Sequence, residues 1–353
     1  MTRIGVLTSG GDSPGMNAAI RSVVKAGIAR GHEVYGVRNG YEGLLAGDLV
    51  ELKLSDVDGI SRFGGTLLGS ARSKHFPTEQ GQLDARARIE QAGLAALVVI
   101  GGNGSLAGAH ALAEGRPCQI IGLPGSIDND IGHTRLCIGV DTAVNTIVEA
   151  CDRISDTARA HRRAFVVEVM GRHSGYLAMR AGIAADADAI LYAEGDADEE
   201  SIVQRLCRML ESSFSEERGK KRVLIIKAEG VEVPTKRLVE RLSDFLDEVV
   251  PGVGIRETIL GHVVRGGSPS AIDRLIAQRL ALGAVMGIEA GAHDVMMAWE
   301  PGPAVGTPTV DPSVTVVPLV DVLEETQRML DGTSESTRSR VELLAAYGAL
   351  LAL

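Results

Sequence analysis

The feature that most constrains this chain is an apolar run that breaks into a glycine-rich turn, and it occurs three times in the first 126 residues. The copies are "RIGVLTSGGD" (3–12), "AALVVIGGNGS" (95–105) and "CQIIGLPGS" (118–126). Short runs rich in β-branched residues and closed by glycine read as strands. The first is followed by "MNAAIRSVVKAGIARG" (16–31), an apolar-striped helix closed by glycine, and then by "EVYGV" (33–37), the next strand. Strand, helix, strand is the βαβ unit, so the strands pair in parallel with helices on both faces. From residue 141, "DTAVNTIVEACDRISDTARAHRR" reads as a long helix. The alternation then restarts with "AFVVEVMG", "ADAILYAEG" and "KRVLIIKAEG". The expected fold class is α/β, with two Rossmann-like domains built on largely parallel sheets and joined by that helix. The chain closes on an apolar helix, "VELLAAYGALLAL" (341–353), read as core or subunit packing.

Composition removes several function classes. The 353 residues, 45% hydrophobic and 23% charged, suit two packed domains and exclude general disorder. A net charge of −10 argues against a nucleic-acid binder, which must neutralise phosphates with a basic surface. An anionic ligand must therefore be met by local positive groups. The four cysteines, Cys118, Cys137, Cys151 and Cys207, have no metal or redox spacing and are expected as reduced, buried thiols. No apolar run approaches the roughly 18 residues of a membrane span. The stretch after Arg3 runs into "SGGD" instead of a cleavage site, so a cytoplasmic location is expected.

The glycine turns fall where open α/β sheets bind ligands, beyond the carboxyl ends of strands. "TSGGDSPGMN" offers unobstructed N–H groups at a helix start, which suits an anion as well as a tight turn. It is not the dinucleotide fingerprint: Gly10, Gly11 and Gly15 are wrongly spaced, and the second strand ends at Arg38 and Asn39 with no acid for a ribose. "GGNGSLAG" repeats the device. Two such turns at one edge suit a polyphosphate, and no Gly-Lys-Ser/Thr motif is present. In "GLPGSIDNDIG" a hydroxyl and two carboxylates, Ser126, Asp128 and Asp130, crowd the mouth of a buried strand; a hydrogen-bonded turn and a catalytic loop both account for them. Arg72, Arg163, Arg172, Arg256, His262 and Arg265 add cationic groups, and four of the last five lie beside a strand end or a glycine turn. Arginine's planar fork suits phosphate.

These pieces together resemble the ATP-dependent 6-phosphofructokinase family. "GGDSPGMNAAIR", "GGTLLGSAR", "GGNGS", "GLPGSIDNDI", "VVEVMGR" and "LGHVVRGGSP" follow that family's order and spacing from Arg3 to about Gly283. The resemblance implies a kinase of glycolysis with a nucleotide-binding domain (1–140 plus 257–330), a sugar-phosphate-binding domain (141–256), a helical tail (331–353) and an active site in the cleft between domains. It implies ATP held by Gly11, Arg72, Gly102, Asn103, Gly104 and Ser105. Fructose 6-phosphate would be held by Ser126, Ile127, Asp128, Met170, Gly171, Arg172, Glu229, His262, Val263, Val264 and Arg265. Arg163 and Arg256 would reach across from a neighbouring subunit of a homotetramer. Asp128 is implied as the general base, with Asp130 ordering the loop and Arg72, Arg172 and Mg²⁺ neutralising charge.

Two departures bear on the donor and the metal. Relatives that use pyrophosphate carry aspartate and lysine where this chain has Gly104 and Gly125, which favours ATP. Asn103 replaces an aspartate associated with Mg²⁺, and a neutral carbonyl is the weaker ligand for a hard cation. The alternatives are a pyrophosphate-dependent phosphotransferase and a non-catalytic sugar-phosphate or nucleotide sensor. Retention of Asp128 and Asp130 weighs against the sensor, because binding alone needs no base.

Overall fold

The computed structural model describes residues 2–195, 198–300, 307–311 and 313–351. The chain forms two compact units, Met1–Thr142 with Arg265–Met329 and Ala143–Val264 with Leu330–Leu353. The first unit opens with β1 (Arg3–Ser9), α1 (Met16–Ala29), β2 (Glu33–Val37), α2 (Gly40–Ala46) and β3 (Leu49–Glu51). It continues with α3 (Glu79–Ala92), β4 (Ala96–Gly101), α4 (Asn103–Ala113) and β5 (Gln119–Pro124). Helix α5 (Val140–His161) then carries the chain into the second unit: β6 (Arg163–Val169), α6 (Tyr176–Ala184), β7 (Ala189–Leu191), α7 (Glu199–Phe214), β8 (Arg222–Ala228), α8 (Thr235–Val249) and β9 (Gly254–Ile259). The chain returns to the first unit through α9 (Ala271–Glu289), β10 (Val295–Trp299), β11 (Thr307–Pro308), β12 (Val314–Pro318) and α10 (Leu319–Leu330), and α11 (Glu335–Leu351) follows.

The first sheet has the order β11-β12-β10-β5-β4-β1-β2-β3. Its centre, β10 to β2, is parallel, and β3, β11 and β12 form antiparallel edges. The second sheet, β7-β8-β6-β9, is parallel throughout. Strand β4 explains the near-continuous apolar runs in the sequence. Ala96, Val98 and Ile100 join the core formed with α1 and α9, while Leu97 and Val99 on the alternate face are equally buried. A strand covered on both faces has no solvent side to keep polar.

The order also positions the site. The chain moves outward from β1 to β2, then crosses back to place β4 on the other side of β1, so the winding reverses between β1 and β4. Ligands bind at such a reversal, beyond the carboxyl ends. In register, Ser9 faces Gly101 and Gly101 faces Pro124, so all three glycine turns leave the sheet at one level.

Several expectations are adjusted. The long helix ends at His161, because Arg162 takes a left-handed conformation (φ 51°) and Arg163 opens β6. Residues 257–264 group with the second unit, since β9 runs through Ile259 and pairs with β6. The C-terminal helix groups there too, with the Arg340 guanidinium 4.8 Å from the Tyr176 ring centre; Ala352 and Leu353 lie outside the described residues. All four cysteines are free thiols, but only Cys118, Cys137 and Cys151 are buried; Cys207 is partly exposed on α7. Burial pushes the Cys118 and Cys151 thiols up to about 12. Among the described residues no helix is long and apolar enough to cross a membrane.

Asp273, in the first turn of α9, is fully buried and ties two helix starts together. It accepts hydrogen bonds from the Gly139 amide (2.9 Å), the Thr142 amide (2.7 Å) and the Thr142 hydroxyl (2.5 Å). Burial pushes its carboxyl up, and these bonds pull it back. Asp273→Ala leaves buried donors without an acceptor and is expected to destabilise the protein by about 3 kcal/mol, with Asp273→Asn costing less. Urea unfolding measures it; a loss under about 1 kcal/mol would remove Asp273 as a cap.

Candidate active site

A pocket of 730 Å³ lies at the carboxyl edge of the first sheet, between the turns after β1, β4 and β5. Gly11, Arg72, Gly102, Asn103, Gly104, Ser105, Ser126, Asp128, Asp130 and Arg265 all line it. Ile127 is buried behind the loop and is not among the lining residues.

Helix α4 starts at Asn103 with Gly102 as its N-cap and no side-chain cap, so its first N–H groups are left for a ligand. The segment around residues 63–70 is laced to the end of β1. Thr8 Oγ1 lies 2.7 Å from Thr66 Oγ1 and donates to the Gly69 carbonyl (2.9 Å), and the Ser70 hydroxyl donates to the Gly10 carbonyl (2.7 Å). From α1, the Asn17 amide donates to the Phe63 and Gly64 carbonyls and accepts from the Leu67 amide. This lacing brings Arg72 into the pocket. Gly11 lies against the end of the Arg265 side chain: a Cβ there would be 2.7 Å from Nη1 of Arg265, which itself donates to the Asp12 carbonyl at 3.1 Å, so a larger residue would displace that guanidinium.

The loop after β5 is at once a hydrogen-bonded turn and a pocket wall, so the two readings of its sequence do not exclude each other. The Ser126 hydroxyl accepts from the Asp128 amide (3.2 Å) and donates to Asp130 Oδ1 (2.9 Å), while Asn103 Nδ2 donates to Asp130 Oδ2 (2.7 Å). Asn129, left-handed at φ 48°, turns its side chain back to accept from the Cys137 amide and donate to the Arg135 carbonyl. Asp128 is thereby held facing the pocket.

The pocket also contains groups that the sequence reading missed. Tyr41 and Phe76 stack at 3.9 Å between ring centres, and the Tyr41 hydroxyl donates to the Ser105 carbonyl at 2.6 Å; burial pushes that phenol's pKa up. Ser9, Ser73 and Pro77 complete the wall. Aromatics are scarce here, five Tyr, five Phe and one Trp, and that scarcity was the only signal pointing to the pair.

In the second unit the remaining candidates separate into two groups. Met170, Gly171 and Arg172 follow β6, Glu229 follows β8, and His262, Val263 and Val264 follow β9 in a short 3₁₀ turn. Because β8, β6 and β9 are adjacent and parallel, these turns share one edge. They are tied by Glu229 N to Val169 O (2.9 Å), Gly230 N to Gly171 O (3.2 Å) and Leu260 N to Glu168 O (3.0 Å). Beneath them Lys227, with its side chain 1% exposed, lies 3.2 Å from Glu168 Oε2, an oxygen that also accepts from the Thr235 hydroxyl. Arg163 and Arg256 are not at that edge. They lie near the amino ends of β6 and β9. A Cβ placed on Gly254 would lie 3.7 Å from Arg256 Nη1 and 3.9 Å from Arg163 Nε, so both guanidiniums converge on one point. No carboxylate among the described residues forms an ion pair with either.

The comparisons agree with this geometry. The phosphofructokinase family model matches residues 3–288. The ATP-dependent 6-phosphofructokinase of Thermotoga neapolitana is 46% identical over 311 residues, covering 88% of this chain and 94% of that protein. The enzyme of the same name from Bacillus subtilis is 48% identical over 289 residues, covering 81% and 85%. Among solved structures, Pichia pastoris phosphofructokinase in the T-state superposes with a TM-score of 0.83 at 36% identity, covering 96% of this chain; the match spans 39% of that longer chain. A pyrophosphate-dependent phosphofructokinase from Marinobacter aquaeolei shares the fold, with a TM-score of 0.76 at 21% identity, covering 91% of this chain and 84% of the other. With its sequence matched from the first strand through α9, and its glycine turns gathered at one sheet edge, the chain belongs to the phosphofructokinase family.

Proposed function

We propose that the chain is an ATP-dependent 6-phosphofructokinase, moving the γ-phosphoryl group of ATP to the 1-hydroxyl of D-fructose 6-phosphate to give fructose 1,6-bisphosphate and ADP in glycolysis. The observation that carries the chemistry is a carboxylate, Asp128, in the same pocket as two glycine turns and the uncapped start of α4. Phosphoryl transfer asks mainly for positioning and charge neutralisation. Gly11, Gly102, Asn103, Gly104 and Ser105 bind the nucleotide, with the Asn103 and Gly104 N–H groups offered at the helix start, and Arg72 neutralises its phosphates. Asp128 accepts the proton of the sugar hydroxyl as its oxygen attacks phosphorus, and Asp130 holds the loop. Ser126, Ile127 and Arg265 in the first unit, and Met170, Gly171, Arg172, Glu229, His262, Val263 and Val264 in the second, are assigned to the sugar phosphate. Arg163 and Arg256, convergent and without carboxylate partners among the described residues, are assigned to the sugar phosphate of a neighbouring subunit in a homotetramer.

The residues present fit a magnesium ion carried by the nucleotide. Asn103 Oδ1 is buried with no hydrogen-bond partner, and the carboxylates of Asp128 and Asp130 line the same pocket. Among the described residues no group of three or more His, Cys, Asp or Glu could hold an ion by itself, in keeping with magnesium's habit of taking one or two protein ligands plus phosphates. When bound, the ion neutralises charge on the transferring phosphoryl group.

A coupled assay with fructose 6-phosphate and either ATP or pyrophosphate tests the reading. Turnover with ATP supports it; turnover with pyrophosphate alone, or none with either donor, overturns it. The donor preference has a steric basis. A Cβ on Gly104 would meet nothing within 4 Å, and one on Gly125 would meet Met16 Cε at 3.1 Å, the far end of a flexible side chain. A side chain introduced at Gly104 therefore has open space beside the pocket, while one at Gly125, which also lines the pocket, crowds Met16, Ser13 and the Gly101 amide. Gly104→Asp with Gly125→Lys is expected to lower kcat/KM for ATP about 10- to 100-fold. An unchanged ATP value would mean that neither glycine borders the donor.

A further inference from the structure

We propose that Asn103 is a positioning residue that holds Asp130 in place without a metal ion. The strand-end loop is then complete before any cation arrives, and it takes up magnesium only together with the donor's phosphates. The inference rests on reading this pocket as the donor site.

Both oxygens of Asp130 are engaged, Oδ2 by Asn103 Nδ2 at 2.7 Å and Oδ1 by the Ser126 hydroxyl at 2.9 Å. Only the nitrogen of an amide can donate to a carboxylate, so this contact fixes which way the Asn103 side chain is turned. Its Oδ1 is left on the other side of the amide, buried and without a hydrogen-bond partner. Asn103 is also the first residue of α4, and a carboxylate held there sits at the positive end of the helix. Asp130 is thus held by two neutral donors at a helix start, with no cation needed to fix its place.

An aspartate at position 103 would reverse this. Two ionised carboxylates would face each other at hydrogen-bond distance with no proton between them, an arrangement that repels unless a cation lies between. The amide removes that repulsion and gives up one anionic ligand. Metal-free order of the loop and affinity for the bare ion are therefore opposed at this position, and this chain takes the first.

The test is scanning calorimetry in EDTA and in millimolar MgCl2, both without nucleotide, with isothermal titration of MgCl2 as a second readout. The parent is expected to shift by less than about 1 °C between the two conditions. Asn103→Asp is expected to melt about 4 °C lower in EDTA, to regain most of that in MgCl2, and to bind the ion alone in the titration. Asn103→Ala, lacking the donor but adding no charge, loses stability in EDTA with no response to the ion. The reversed pair, Asn103→Asp with Asp130→Asn, restores an amide and a carboxylate in contact and returns the EDTA melting temperature to within about 1 °C of the parent. If Asn103→Asp does not fold, the alanine and reversed-pair variants decide. A parent stabilised by MgCl2 alone, an aspartate variant matching the parent in both conditions, or a reversed pair that rescues nothing would overturn the proposal. None of these readouts uses turnover, so a failure of the kinase assay and a failure here are distinguishable.

Discussion

Asp128→Asn is expected to lower kcat about 10²- to 10⁴-fold while leaving KM for fructose 6-phosphate nearly unchanged. The substitution keeps size and shape and replaces the carboxylate with a neutral amide that cannot take a proton. The Asp128 amide hydrogen bond to the Ser126 hydroxyl belongs to the backbone and survives, as do the contacts of Asn129 that fix the turn. The loop therefore stays in place, and a loss of rate reports chemistry, not misfolding. Steady-state kinetics with the coupled assay, alongside a melting curve matching the parent, measures it. A variant keeping most of its turnover would take Asp128 out of proton transfer; a rise in KM with kcat intact would make it a binding group.

The second large effect is on stability. Lys227→Ala is expected to destabilise the protein by about 3–5 kcal/mol, the range for breaking a buried ion pair by removing one partner. The Lys227 side chain is 1% exposed, and its ammonium lies 3.2 Å from Glu168 Oε2, with the Ala228 carbonyl as another acceptor at 3.4 Å. Lys227 and Glu168 face each other in register across β8 and β6, and Thr235, at the start of α8, donates to the same carboxylate. Removing the lysine leaves Glu168 only partly compensated in a site 19% open to solvent. The double variant Lys227→Met with Glu168→Gln removes both charges and is expected to recover most of the loss, since apolar replacement of a buried pair is often close to neutral. Urea unfolding of the three proteins checks it. A single variant within about 1 kcal/mol of the parent would mean that water reaches the pair and screens it.

The sequence by itself determined the elements that repeat locally. Strands β1, β4, β5, β6 and β8 lie where the apolar runs put them. Parallel pairing followed from the helices between them, and the location of the pocket from the glycines at the strand ends, because periodicity and turn chemistry act over a few residues. The candidate residues on the turns after β1, β4 and β5 were legible for the same reason: each sits on, or one turn beyond, a strand end, whereas Arg72 and Arg265 do not.

Only the tertiary structure decided the rest, through contacts between residues far apart in the chain. Thr8 with Thr66 brings Arg72 to the pocket across 58 positions, and Tyr41 stacks on Phe76 with no local pattern to announce it. Arg265 turns to Gly11, more than 250 residues away, and Arg163 and Arg256 meet because β6 and β9 are neighbours in a sheet. Asn103 in the sequence is a lost carboxylate. In the fold it is a hydrogen-bond donor to Asp130, 27 positions on, because β4 and β5 pair in register and set their two turns side by side. Residue type is written in the chain, but the partner that gives it a role is supplied by packing, which no local period encodes.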